Sequence, residues 1–267
     1  MRLRKLLRIL LPPFVAFLAA LGVWFFITLQ VLAPHRRFLL PPPDRVITVG
    51  LLDARNRAEL LTGLAASARV ALMGLAIAIT LGTVVAILMS QARFLERSLY
   101  PWAVVLQTIP TLALVPLIGF WFGYGLFSRV LVCVMISLFP IITSTLFGLQ
   151  SADRTHRDLF RLYSASRLQT LWKLLLPGAL PSMLTGWRTS AGLSVIGAIV
   201  GDFFFRQGEA GIGRLLDGYT SRLQSEQLFA GVLLSSLFGL TVFWLFGLLS
   251  KLLVGSWHAS SQQGSER

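Results

Sequence analysis

Charge is scarce in this chain. Only 13% of its 267 residues are Asp, Glu, Lys or Arg, where soluble domains carry roughly a quarter. Lysine occurs three times (Lys5, Lys173, Lys251) and never after a glycine, so the GxxxxGK[ST] phosphate loop of a nucleotide hydrolase is missing. If the chain pumps anything, its energy comes from another subunit. Cys133 is the one cysteine. It excludes an internal disulfide and, inside an apolar run, reads as a small packing residue. His35, His156 and His258 lie far apart in polar flanks, so no metal site is suggested. The acids are scattered singly, which argues against a membrane enzyme built on clustered carboxylates.

What is plentiful is apolar. Hydrophobic residues make up 55% of the chain and the mean hydropathy is +0.74, values that belong in a bilayer. The formal charge is +13. Its basic residues sit between apolar runs rather than in one patch, which fits topology-setting loop charge and not nucleic acid.

The run 9–33 follows a basic start (Arg2, Arg4, Lys5, Arg8). It is too long for a signal-peptide core and predicts a retained first helix. The polar segment 34–62 contains Pro41-Pro42-Pro43, which favours an extended link, with a short surface helix over 55–61. Further runs lie near 68–90, 100–122, 126–149, 183–205 and 228–252. The expected fold is therefore an all-α, polytopic membrane bundle of about six transmembrane helices. Pro101, Pro110 and Pro116 place the 100–122 run inside the bundle, where neighbours re-satisfy the freed backbone. Gly74, Gly82, Gly186, Gly192, Gly197 and Gly201 suit close helix contact. With six spans, thirteen Lys and Arg fall on the side of the termini and nine on the other. Positive-inside then puts both termini, and the loop 150–182, in the cytoplasm. Arg188 is expected to snorkel toward that face. The organisation expected is a cytoplasmic N-terminus and first helix (1–33), an extracytoplasmic connection (34–62), a core (63–257) and a cytoplasmic tail (258–267).

The chain is organised around Asp153–Pro181, the only long polar interval among the spans. Thr155 with Asp158 reads as a shortened capping box, and Ser166 with Gln169 as an ordinary one. Pro177 and Pro181 are expected to stop the second helix. Two short helices around a Ser164-Ala165-Ser166 turn form a docking element for a soluble partner. Phe160, Leu168, Leu171 and Trp172 give it apolar surface, with burial among lipid headgroups as the other reading. Candidates for a solute pathway are Gln107, Pro110, Thr111, Ser137, Thr143 and Ser194, whose polar groups alternatively bond their own helix backbone. Asp202, the one acid near an apolar run, is a pathway candidate or a solvated cap. Gly208–Gly213 reads as an outer turn.

The interval 158–177 resembles the EAA loop of inner-membrane permease subunits of binding-protein-dependent ABC importers. That pattern is an acid, two alanines, a glycine four residues on, then nine residues before I-x-L-P. Here Asp158 takes the acid position, Leu159-Phe160 the alanines, Ser164 the glycine, and Leu174-Leu175-Leu176-Pro177 closes it. Gln107-Thr108-Ile109-Pro110, Pro116-Leu117 and Trp121–Gly125 are similar to the nitrate/sulfonate/taurine branch. So are Ala165-Ser166-Arg167, Gly186-Trp187-Arg188, Gly201-Asp202 and Gly211-Ile212-Gly213. The resemblance runs from about Leu60 to Trp257. It implies a type I importer permease fold in the bacterial inner membrane, acting as a pair with a pore at the shared interface. It also implies two cytoplasmic ATPase subunits that use ATP and Mg, an extracytoplasmic binding protein, and no cofactor on this chain. Loop residues it assigns to ATPase coupling are Asp158, Phe160, Ser164, Ala165, Ser166, Arg167, Leu168, Leu171, Trp172 and Pro177. The solute would be nitrate-, sulfonate- or taurine-like, or a vitamin precursor. The competing reading is a self-sufficient secondary transporter or channel, which predicts paired midplane charges or broken half-helices in repeats.

Overall fold

The computed structural model describes residues 2–254, with side chains over 11–253. The expected tail, 258–267, lies outside the described residues. Among the described residues every regular element is helical. We number the longer helices α1 (Arg2–Phe26), α2 (Ala54–Gln91), α3 (Arg93–Thr108), α4 (Thr111–Phe122), α5 (Leu126–Gln150), α6 (Arg154–Leu162), α7 (Arg167–Thr170), α8 (Leu176–Phe204), α9 (Ile212–Ser221) and α10 (Ser225–Val254). Among the described residues four stretches are long and apolar enough to cross a membrane: Leu11–Val31, Ala54–Gln91, Leu126–Gln150 and Ser225–Leu253. The α3–α4 pair, bent by 98°, makes a fifth if it is one span. α8 has 29 residues, about 44 Å at 1.5 Å per residue, but its Ser, Thr and Gly content with Arg188 and Asp202 dilutes its apolar character.

Three local expectations need correction. The proline-rich connection is not an extended link. It folds into short turns, Pro34–Arg36 and Pro43–Arg45, followed by a π-helical stretch Val46–Leu52. The short helix over 55–61 is the opening of α2, whose first N–H groups, at Arg55 and Asn56, are accepted by the Asp53 carboxylate at 3.1 and 2.9 Å. The 100–122 run is two helices. Pro110 supplies no N–H and forces Ile109 into an extended backbone (ψ 129°), so α3 must end there.

By internal contacts the chain divides into Met1–Gly63 with Leu215–Leu234, and Leu64–Arg214 with Ser235–Arg267. In the first unit Trp24 donates its indole N–H to the Pro41 carbonyl at 3.0 Å and stacks obliquely on Phe229 at 5.4 Å. Tyr219 on α9 faces Glu59, and burial together with that carboxylate pushes its phenol up to about 12. From Leu11 onward most side chains of α1 are exposed, which fits a lipid-facing helix (Phe14 58%, Phe17 59%, Phe26 61%).

The second unit is built on α5 against α8. Val130, Cys133, Val134 and Ile141 of α5 pack with Val195 and Ala198 of α8 and Val70, Ala71 and Ala78 of α2. Glycines permit the approach. A Cβ on Gly74 would sit 2.3 Å from the Cys133 Cβ, and one on Gly197 only 2.8 Å from the Cys133 Cα. Cys133 is thus a small residue wedged between two helices, as its place in an apolar run suggested. Lower on the same seam, a Cβ on Gly186 would meet Ser144 Cβ at 2.7 Å and the Pro140 carbonyl at 2.9 Å. Gly186→Val therefore forces the α5–α8 backbones apart and should cost about 1–3 kcal/mol. The check is a lowered thermal midpoint of the detergent-purified protein beside Gly192→Val, where a Cβ meets nothing within 4 Å.

Candidate functional site

The polar interval after α5 forms two helical arms. Asp153, not Thr155, starts the first. Its side chain accepts the Thr155 N–H at 2.7 Å, so the α6 cap lies two residues earlier than the expected box. That hydrogen bond holds the exposed Asp153 carboxyl below its usual range. Arg157 then reaches back and donates to the Leu149 and Gln150 carbonyls at 3.0 Å each, fixing α6 to the end of α5. Asp158 faces Arg161 at 3.3 Å; both are largely exposed, so the pair adds little stability.

α6 ends in a Schellman arrangement. The Ala165 N–H bonds the Phe160 carbonyl at 3.0 Å and the Ser164 N–H bonds the Arg161 carbonyl at 2.9 Å. Ser164 holds φ at +51°. That is the position where the EAA pattern carries glycine, and the left-handed backbone explains the preference physically. Ser164→Gly should raise stability by about 1 kcal/mol, and Ser164→Val should lower it by more. Thermal unfolding of both variants in one detergent tests the order.

The second arm opens with the expected capping box. The Ser166 side chain accepts the Gln169 N–H at 3.2 Å and the Gln169 side chain accepts the Ser166 N–H at 2.9 Å. It does not stop at the prolines. Leu171–Leu175 widens into a π turn in which the Leu176 N–H reaches the Leu171 carbonyl, and Pro177 enters at the first turn of α8, where a missing N–H is harmless. The chain is helical from Arg167 to Phe204, with Pro181 inside α8.

The apolar residues of the arms divide in two. Leu171 is buried with Leu149, Ala179 and Met183 and seats the arm on the α5–α8 pair. Phe160 is half-buried. Leu168 (64%), Trp172 (65%), Leu162 (83%) and Tyr163 (80%) stand exposed. Leu162 and Tyr163 escaped sequence reasoning, although their place just before the left-handed Ser164 marks the tip of the hairpin. Ala165 is half-buried in the turn and Pro177 half-buried at the start of α8.

The pathway candidates are scattered. Gln107 and Pro110 are exposed and Thr111 half-buried at the bent α3–α4 junction. Ser137 and Ser194 are enclosed in the α5–α8 seam and donate to the Cys133 and Ala191 carbonyls. Thr143 donates to the Phe139 carbonyl at 3.0 Å and lines a groove of about 310 Å³ with Ser144, Phe147, Ser182 and Thr185. No charged side chain lines this groove. The guanidinium carbon of Arg188 lies 3.8 Å from the Phe243 ring centroid.

Asp202 is not solvated, and the Gly213 N–H in the first turn of α9 bonds its carboxylate. Asp202 is fully buried, 3.3 Å from the guanidinium of Arg129, itself 3% exposed. Ser67 of α2 donates to its other carboxylate oxygen and accepts the Ile212 N–H at 2.7 Å. Arg129 further donates to the carbonyls of Phe205, Gln207 and Glu209 at 2.7–2.9 Å. One arginine thus holds the far end of α8 and the loop after it. Gly211 and Gly213 are required by the same cluster. A Cβ on Gly211 would lie 1.9 Å from the Asp202 carboxylate and one on Gly213 2.3 Å from the Ile199 carbonyl. Arg129 is one of the nine basic residues counted on the side away from the termini, and nothing local in the sequence says that its partner lies on another helix.

Comparison with known proteins converges on this architecture. The family described as "Binding-protein-dependent transport system inner membrane component" matches residues 78–255. The chain is 34% identical to the formylaminopyrimidine transport permease protein ThiX of Halalkalibacterium halodurans over 235 residues, 87% of this chain and 90% of that one. It is 30% identical to the taurine transport system permease protein TauC of Escherichia coli, over 79% and 77% of the two chains. It is 37% identical to the riboflavin transport system permease protein RibX of Chloroflexus aurantiacus, over 63% and 62%. A crystal structure of an amino acid ABC transporter superposes with a TM-score of 0.57 at 16% identity, covering 76% of this chain and 96% of the other, which carries the fold alone. A matched core holding both the two-armed loop and the Arg129–Asp202 clamp settles membership: this chain belongs to the binding-protein-dependent inner membrane components, the permease subunits of ABC importers, in their nitrate/sulfonate/taurine branch.

Proposed function

We propose that two copies of this chain form the translocation pathway of an importer, and that each docks a cytoplasmic ATPase through Asp153–Pro181. ATP and Mg act on the ATPase, and this chain performs no chemistry of its own. The observation that carries the reading is the unbroken helical connection from Arg167 through α8. A displacement of the arms by a closing ATPase pair has no flexible joint in which to dissipate. The Arg157 bonds engage α5 at the same end, and the Arg129–Asp202 pair joins α5 to α8 at the other. The α5–α8 pair therefore moves as one body, and access alternates by rocking that body rather than by sliding the helices within it.

The groove at Thr143, Ser144, Ser182 and Thr185 offers hydroxyls and no fixed charge, which suits transient contact with a small polar solute. Recognition strength then resides in the extracytoplasmic binding protein. The long similarity to a formylaminopyrimidine permease favours a heterocyclic vitamin precursor over a sulfonate. The test is ATP hydrolysis by the permease–ATPase complex in proteoliposomes, driven by its binding protein loaded with a formylaminopyrimidine or with taurine. Stimulation by the pyrimidine alone is expected. Stimulation by taurine alone would reverse the solute assignment.

A further inference from the structure

A second face of the two-armed loop is unused by this reading. Behind the exposed apolar tip lies a cleft of about 470 Å³ between the end of α2 and the two arms. Its polar walls are Ser90 and Gln91 of α2, Arg157 and Arg161 of α6, and Arg167 and Thr170 of α7. Three arginines line it and no carboxylate does, although Arg161 also pairs with the exposed Asp158 carboxylate at 3.3 Å. Leu162, Tyr163, Leu168 and Trp172 do not line it, so the cleft is distinct from the exposed apolar surface, although Ala165 and Arg167, which the resemblance assigns to coupling, lie on its wall. Arg157 is anchored by the carbonyls at the end of α5, and its buried Nε has no partner among the described residues.

We propose that this cleft binds the phosphate headgroup of an anionic phospholipid. The depth argues for lipid over a soluble anion. α2 ends at Gln91 and α5 at Gln150, both membrane-length helices, so a cleft bounded by Gln91 and by an arginine pinned to Gln150 opens at the level where spans leave the hydrocarbon. Basic pockets between spans on the cytoplasmic side are where acidic headgroups are held. The hydroxyls of Ser90 and Thr170 already donate to the Ile87 and Ser166 carbonyls, so the donors left for phosphate oxygens are the arginines. The Leu175 side chain on the wall offers apolar contact beside the charge. A headgroup seated there bridges both arms to α2, so lipid composition sets how firmly the loop is held. The inference rests on the membrane and cytoplasmic placement of the loop, but its test does not depend on the ATPase.

The detergent-purified full-length chain is titrated with short-chain phosphatidylglycerol and with phosphatidylcholine of the same acyl length, read by tryptophan fluorescence and by native mass spectrometry. Phosphatidylglycerol should bind, and Arg161→Gln and Arg167→Gln should each weaken it roughly fivefold. Arg154→Gln, outside the cleft, should leave it unchanged. Circular dichroism of each variant confirms that the helices remain. Equal binding of both lipids, or unchanged binding in the double variant Arg161→Gln with Arg167→Gln, would overturn the proposal. Displacement of the lipid by an equal concentration of inorganic phosphate would assign the cleft to a free anion instead. Loss of ATPase association in the double variant with lipid binding intact would assign it to an acidic segment of that partner.

Discussion

Asp202→Ala should cost about 3–5 kcal/mol, the largest single-residue loss in the protein. Removing one member of a buried ion pair leaves the other charge enclosed without compensation, and Arg129 is 3% exposed. A typical domain is stable by only about 5–15 kcal/mol, so the variant should give a much reduced yield of monodisperse protein and a sharply lower thermal midpoint. The paired variant Arg129→Met with Asp202→Leu should recover part of that loss and not all of it. It removes both charges, yet the Phe205, Gln207 and Glu209 carbonyls still lose their donor. Size-exclusion yield and thermal midpoint of the single and paired variants check the order. A single variant as stable as the parent would remove the clamp from the account.

Replacing Leu168 and Trp172 together by glutamate should abolish ATPase association while leaving the permease folded. Both side chains are more than half exposed, so surface changes there alter stability by about half a kcal/mol or less. At a protein interface an anchoring tryptophan is typically worth about 2 kcal/mol or more. That alone weakens binding about 30-fold. Leu171→Glu should behave in the opposite sense. Its side chain is buried against Leu149, Ala179 and Met183, so the carboxylate would unseat the arm and lower the thermal midpoint before association is tested. Separating these phenotypes distinguishes a docking residue from a packing one on the same turn.

The two-armed loop was legible because its signals are local. A serine with glutamine three residues on, and prolines at the next turn, act on the backbone within one or two helical turns. The exact cap was not, since Asp153 and Thr155 are both competent and the choice depends on where α5 releases the chain, at Gln150. The prolines misled for the same reason. Pro177 reads as a stop, yet it falls in the first turn of α8, where a proline is tolerated. Apolar runs revealed the spans, but the 98° bend between α3 and α4 depends on Ile109 being pushed extended by Pro110. The clamp was the least legible feature. Ser67, Arg129, Asp202 and Ile212 come from different helices, and only packing brings them together. The Gly-Asp and Gly-Ile-Gly motifs marked one side of it without naming the arginine.

Drive through the Asp153–Pro181 loop can be read from solute uptake into proteoliposomes containing the chain with its ATPase and binding protein. The parent should accumulate solute only when ATP is enclosed with the ATPase, and Leu168→Glu with Trp172→Glu should reduce that uptake to background. Uptake driven by an ion gradient without ATP, or undiminished uptake by the loop variant, would contradict it.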